Sequence, residues 1–442
     1  MLYGVFFVFI LALLFIQFFI KDHLSKWIIL SFVGYWFLAL LFSIYNPYGL
    51  YEVSSYAYFL LILNVMSFLI GFSCIHISPL QVSCLVTENV SVLSTMQKII
   101  NSKFFLGIVL LGILVCTNIY RQYASLLFLL DSRVDAISLI AKENQGNIFF
   151  QIYSFLCPPL FYSLCAISAY MILCYRRWGK IFLFLLFLVL YSLIGGGRAS
   201  FLVFFMALLF CYFICRDIFH VAKIKVSKFA YLLIVILILL AYIMMSWITA
   251  MRSGYFTFNM EAIIHGSEEL NKQFITYSLL PFRLFDYALS NQYLDKIGYQ
   301  YGLSTFDGLN RYAWIILKKF GITISLVSEN TTDFFQDSWI SVGEDTVANY
   351  AYTNAIYHYL DFGVLGIFIF PFLFGIFFRL LIKRFYKSFS VPLYCLLFYL
   401  FFVLMHMIFT WHIQKMYALA FIGIMTFYSF KKRKIVMKYS LK

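Results

Sequence analysis

The stretch NYAYTNAIYHYLDFGVLGIFIFPFLFGIFF, residues 349–378, decides the fold class. Its first half is polar and aromatic, and from Phe362 to Phe378 it carries no charge. Such a run approaches the ~20 apolar residues that a helix needs to cross a bilayer. With this span at 359–378, others lie at roughly 2–20, 27–44, 57–76, 104–120, 148–174, 181–194, 200–215, 229–250, 391–409 and 414–430. Over its 442 residues the chain is 63% hydrophobic, 21% aromatic and 12% charged. A soluble domain carries about 25% charged residues. So apolar a chain has too little polar surface to face water, and lipid demands that backbone groups be satisfied internally. Unbroken runs of about 15–25 residues, without alternation, exclude a β-barrel. The expected fold is all-α: a multi-pass integral membrane protein of about eleven transmembrane helices, one domain over 1–442.

Just upstream, residues 251–349 have a different character. This segment joins the eighth and ninth spans and holds eleven of the nineteen acidic residues. Cytoplasmic loops are enriched in Lys and Arg. Alternate connections beginning with 21–26 and ending with the tail hold 21 basic residues against Asp22, Glu88 and Asp217; the other set holds 12 basic and 16 acidic. The first set is therefore expected in the cytoplasm, with the C-terminus inside and the N-terminus and the 251–349 loop outside. The formal charge of +14 divides into +18 inside and −4 outside. It reflects topology and lipid headgroups, and implies no nucleic acid. Leu2–Ile20 has no basic leader or small-residue cleavage site and reads as a retained span. Within the loop, Ser304–Phe320 has the spacing of an interfacial amphipathic helix, with Trp314 at headgroup depth. Leu270, Phe274 and Tyr277 suggest another, interrupted at Pro281; Thr323–Gly343 reads as looped.

Nine cysteines, mostly within apolar runs, show no disulfide framework or metal-ligand spacing. Cys211 and Cys215 stand at i,i+4, but no His or carboxylate joins them there. HExxH, GxSxG, P-loop and DxD motifs are all missing from the sequence.

Three places have the residues for chemistry. Gly195, Gly196, Gly197 and Arg198 join the sixth and seventh spans. Glycines admit close backbone approach, and a helix N-terminus beside an arginine suits an anion; a tight hairpin with a snorkelling arginine is the competing reading. The second place is a set of external arginines: Arg121, Arg133, Arg198, Arg252, Arg283 and Arg311. Several converging at headgroup level would suit a diphosphate. The third is the root of the ninth span. If helical, Asn354, His358 and Asp361 share one face, and Tyr350, Thr353 and Tyr357 another. Asp361 is the acid nearest the hydrocarbon, a position usually functional or paired. Asp286, Asp307, Glu344 and Asp345 are further candidate bases.

A Gly-Gly-Arg turn between two short spans precedes one large outer loop; this runs into Tyr352-Thr353 and Asp361-Phe-Gly-Val-Leu-Gly366, and three spans and a basic tail follow. The pattern resembles the Wzy-type O-antigen polymerases, or oligosaccharide repeat-unit polymerases. The resemblance covers the whole chain in layout, and its motifs cover Gly195–Arg198 and roughly 349–375. It implies a metal-independent membrane glycosyltransferase of the GT-C type in the bacterial inner membrane, without cofactors. Its substrate would be undecaprenyl-diphosphate-linked oligosaccharide, and its partners membrane lipids, a chain-length regulator and a flippase of the same pathway. On that resemblance Asp361, Arg198 and His358 are the catalytic candidates. Gly195–Gly197, Arg121, Arg252, Arg283, Tyr352, Thr353 and Asn354 would bind diphosphate or glycan. An O-antigen ligase is the near alternative; ligases rely on an outer-loop histidine, and His265 is the only one within 251–349. A flippase is the other; it should show charges within spans and a repeat between halves, and neither is visible.

Overall fold

Where lipid leaves a backbone nothing to bond to, the apolar runs close their hydrogen bonds internally. The computed structural model describes residues 2–77, 96–129, 148–175, 178–194, 199–217, 228–252, 254–255, 257, 259–324, 326–327, 340–344, 346–348 and 352–431. Among the described residues eight helices precede the loop: α1 (Leu2–Phe19), α2 (His23–Tyr45), α3 (Ser55–Ser73), α4 (Lys103–Leu129), α5 (Ile148–Tyr170), α6 (Trp178–Ile194), α7 (Ala199–Asp217) and α8 (Lys228–Arg252). The loop contains α9 (Met260–Ser290), α10 (Tyr293–Ile297), α11 (Asp307–Lys318) and the short strands β1 (Ile340–Ser341) and β2 (Val347–Ala348). Then follow α12 (Asn354–Phe362), α13 (Val364–Lys387), α14 (Val391–His406) and α15 (Met416–Lys431). Five helical segments among the described residues are long and apolar enough to cross a membrane: α2, α3, Lys103–Gln122 of α4, Phe149–Cys174 and α13. Shorter apolar helical segments, of 10–17 residues, run over Tyr3–Phe19, Lys180–Ile194, Ser200–Cys215, Tyr242–Met251, Val391–His406 and Met416–Ser429.

Local chemistry sets several boundaries. Asp22 and Ser54 cap α2 and α3 by accepting from the backbone N–H groups of Ser25 and Ala57, as oxygen-bearing N-cap residues do. Asn46 closes α2 in the left-handed region at φ 50°. The expected span at 359–378 is divided by Gly363, whose φ of 60° and ψ of −139° end α12 and redirect the chain into α13. The interruption expected at Pro281 does not occur, because α9 continues through it to Ser290. The loss of one helical hydrogen bond there is accompanied by a side-chain bond from Arg283 to the Leu279 carbonyl. At the end of the 323–343 stretch β1 pairs antiparallel with β2, and Leu50 bridges Gly343.

Two compact units interleave along the sequence. The first comprises Met1–Cys84, Gln273–Ser388 and Leu400–Ile424; the second comprises the rest. In the first, α3 and α13 approach backbone to backbone. A Cβ on Gly71 would overlap the Phe372 carbonyl, and one on Gly375 the Phe68 carbonyl. Small residues permit such contact between helices in lipid. Phe68 and Phe374 pack alongside, ring centroids 5.6 Å apart. At one end of this unit Arg379 of α13 pairs with Asp22 at 2.7 Å and bonds the Ile75 carbonyl and Ser25. At the other end Arg283 and Asp286 of α9 hold the α2–α3 connection. There too α11 seats Gly308 against Gln414 and Met416 and leaves Leu309, Ile316 and Phe320 exposed, as an interfacial helix does. In the second unit Gly112 lets α4 meet Leu160 and Phe187 closely, and Phe161 stacks on Tyr191 at 4.7 Å.

Candidate functional site

The root of α13 gathers the polar residues of the 352–361 stretch into one buried cluster of the first unit. Thr353 occupies the N-cap position of α12, and the i, i+4, i+7 spacing places Asn354, His358 and Asp361 on one helix face. All three are fully buried. The Asn354 amide exchanges two hydrogen bonds with Asn64 in the middle of α3, at 3.1 and 3.0 Å, and its backbone N–H donates to the Met407 carbonyl. Asp361 accepts from the backbone N–H groups of Ser304 at 2.9 Å and Thr305 at 2.8 Å. His358 Nδ1 lies 2.9 Å from Thr305 Oγ1. Its ring packs against Phe370 and Trp411, at 5.3 and 4.9 Å. Trp411 in turn donates to the Thr305 carbonyl at 3.0 Å.

These bonds fix a strap, residues 298–306, across α12. Left-handed conformations at Gly298, Tyr301 and Gly302 turn it, and the N–H groups of Gln300 and Tyr301 donate to the carbonyls of Leu360 and Asp361. From the opposite side, Gly366 lets α13 touch the His358 carbonyl, where any Cβ would overlap. Tyr352 is fully buried and bonds Tyr293; Tyr357 lies 3.3 Å from Thr410.

Burial governs the electrostatics. It lowers the pKa of His358 to about 3, so the ring is neutral at physiological pH, and its Nε2 finds no hydrogen-bond partner among the described residues. Burial also pushes the Asp361 carboxyl above the usual carboxylate range, against the pull of the donors from Thr305 and Ser304. Both oxygens of Asp361 are occupied and the residue has no exposed surface. In this geometry Asp361 and His358 hold the strap against α12.

The other candidates divide. Gly195, Gly196, Gly197, Arg198, Arg133, Tyr350 and Asp345 lie outside the described residues. Arg121 is exposed near the end of α4 and Arg252 is the last residue of α8, both in the second unit. Arg283 lies inside the first unit. It is buried, and its donors go to the carbonyls of Tyr51, Ser43 and Leu279 and to the side chains of Ser43 and Asn46; burial also lowers its pKa. Two loop acids are committed as well. Asp286 accepts from the Ser54 N–H and hydroxyl, and Asp307 pairs with Arg311 at 2.7 Å. Glu344 is exposed. His265, the ligase-like candidate, is half-buried on α9, its ring 4.8 Å from Tyr255. His412 and His406 share a hydrogen bond at 3.1 Å.

Asn64, Ser304, Thr305 and Trp411 complete the cluster without having been singled out by sequence. Asn64 had a signal, since an amide inside an apolar span needs a partner there. Thr305 had none, because its value lies in three bonds to distant parts of the chain. No family model, curated protein or solved structure matches the chain.

Proposed function

We propose that this chain is a membrane glycosyltransferase of the Wzy polymerase type. It extends undecaprenyl-diphosphate-linked oligosaccharide on the outer face of a bacterial inner membrane, with about eleven spans, the N-terminus outside and the C-terminus inside. The observation that supports the reading is the strap. The large loop folds down and locks, through Ser304 and Thr305, onto the Asp361–His358 face of α12. That is how a loop would roof a lipid-linked substrate at the headgroup level and hold a sugar hydroxyl in line with a glycosyl diphosphate.

In the reaction, the anomeric carbon–oxygen bond to the diphosphate of the growing chain breaks, and a bond forms to a hydroxyl of the incoming lipid-linked unit. The hydroxyl proton leaves through a base, and undecaprenyl diphosphate is released. Cationic donors aimed at the departing diphosphate carry the largest share of such catalysis. Arg198, with Arg252 and Arg121, supplies that charge in this reading, and the glycines at 195–197 admit the phosphates. Tyr352, Thr353, Asn354, His358 and Asp361 position the loop, and a loop carboxylate or water takes the proton.

Chromosomal deletion followed by a lipopolysaccharide gel tests the reading. The expected result is core plus a single repeat unit in place of a ladder. Loss of all O-antigen units would sink it in favour of a ligase or flippase. Arg198→Ala should lose the ladder at normal membrane levels; a wild-type ladder would remove the anion role from Gly195–Arg198.

A further inference from the structure

Three thiols of the second unit converge. The sulfurs of Cys174, Cys211 and Cys215 all lie within 4.8 Å of one another, with Cys174–Cys215 at 2.9 Å and Cys211–Cys215 at 3.6 Å. Cys211 and Cys215 are one turn apart on α7 and share a face. Cys174 belongs to Met171–Tyr175, a π-helical turn that continues α5. Such a turn re-aims the residues it carries and is frequent at functional sites. Cys211 and Cys215 are buried and Cys174 is half-buried. By contrast Cys116 and Cys157 merely meet at 3.9 Å, two thiols with no third among the described residues.

We propose that Cys174, Cys211 and Cys215 form a three-sulfur site for a soft, thiophilic metal ion, specifically Cu(I). Thiolates select Cu(I) and Zn(II) over harder ions. Structural Zn(II) sites almost always complete four ligands, and among the described residues no histidine or carboxylate joins the trio. A metal at about 2.3 Å from each sulfur, in a trigonal plane, sets the sulfurs about 4.0 Å apart. The Cys174–Cys215 and Cys211–Cys215 separations of 2.9 and 3.6 Å are shorter than this, so both widen when the ion enters. Tyr394, its hydroxyl donated to the Ala166 carbonyl at 3.0 Å, lies against Cys211 and packs beside the site. Binding exchanges thiol protons, released to solvent, for metal–sulfur bonds, with no change of oxidation state.

A disulfide is the competing chemistry. Cys174 and Cys215 flank the connections that carry Arg176, Arg177, Lys180 and Arg216, which the charge bias places in the cytoplasm. Thiols there stay reduced. The site stands independently of the polymerase reading.

The probe is Cu(I) itself. Full-length protein in detergent, reduced and anaerobic, is loaded with Cu(I), challenged with a Cu(I) chelator and read by metal content and copper X-ray absorption. The expected result is one Cu(I) per chain with three sulfur neighbours. Cys211→Ser should lose the ion and Cys116→Ser should keep it. Absence of retained Cu(I), a coordination shell of nitrogen or oxygen, or retention unchanged in Cys211→Ser would overturn the site. So would a Cys174–Cys215 disulfide in protein alkylated at lysis. The first two readouts use the native chain, so they decide the matter even where Cys211→Ser does not fold.

Discussion

Thr305 uses every hydrogen-bonding group it has. Its N–H goes to Asp361, its hydroxyl to His358, and its carbonyl accepts from Trp411. A buried donor or acceptor left without its partner costs about 1–3 kcal/mol, so the cluster is worth more intact than in parts. This gives Asp361 a testable role. In Asp361→Asn an amide N–H₂ replaces one carboxylate oxygen and faces a backbone N–H. We expect amide exchange in the 298–306 strap to accelerate about 5- to 150-fold, the equivalent of 1–3 kcal/mol, together with a shortened or absent glycan ladder. A lost ladder with unaltered exchange would instead make Asp361 a base and not a clamp. Spacing alone showed that Asn354, His358 and Asp361 share a face. It did not show what the face meets, because Thr305 and His358 are 53 residues apart and no periodicity links a turn to a helix. Arg283 misled for a related reason: an arginine in an outer segment reads as a free cation until its buried partners are seen.

Among the elements, close packing at glycine is the most exposed to perturbation. Gly71 and Gly375 sit where α3 and α13 touch, and Gly366 where α13 touches α12. A methyl group there overlaps backbone, which cannot swing away as a flexible side chain does. Overpacking of this kind costs typically about 1–3 kcal/mol. Gly71→Ala and Gly375→Ala are expected to lower thermal stability in detergent. Gly34→Ala and Gly107→Ala, with nothing within 4 Å of the added carbon, should be neutral or gain up to about 1 kcal/mol from helix propensity. Equal effects in both pairs would refute the backbone contact. Gly366→Ala should also free the strap, since it displaces the helix that carries Asp361. The helices themselves were legible, because each apolar run has one way to satisfy its backbone. Their breaks were not. Pro281 lies inside α9, whereas Gly363 divides one apolar run into α12 and α13. Whether a residue breaks a helix depends on the packing around it as much as on its own torsions.

For the whole chain the open matter is sidedness, and the first unit ties its ends together physically. Asp22, Ser25, the Ile75 carbonyl and Arg379 meet at one end; Ser43, Tyr51, Ser54, Arg283 and Asp286 meet at the other. The alternation read from the spans assigns the first group to one face of the membrane and the second to the opposite face, so contacts and alternation agree on which positions go together. The Lys and Arg bias then says which face is which. Because Asp22 and Arg379 neutralise each other in a buried pair, they drop out of that bias equally, and the +18 expected inside is carried by the other residues. Reporter fusions read this directly. Alkaline phosphatase joined after Lys319 should be active, and joined after Lys387 or at the C-terminus inactive, with a fluorescent protein giving the reverse. If α14 and α15 each cross the membrane, the Asp22–Arg379 end and the C-terminal tail lie on the same side, since only that hairpin separates Lys387 from Lys431. An active phosphatase after Lys387 with an inactive one at the C-terminus would therefore make that hairpin cross an odd number of times. It would also overturn the placing of the loop, and with it any reaction on an outward-facing lipid-linked glycan.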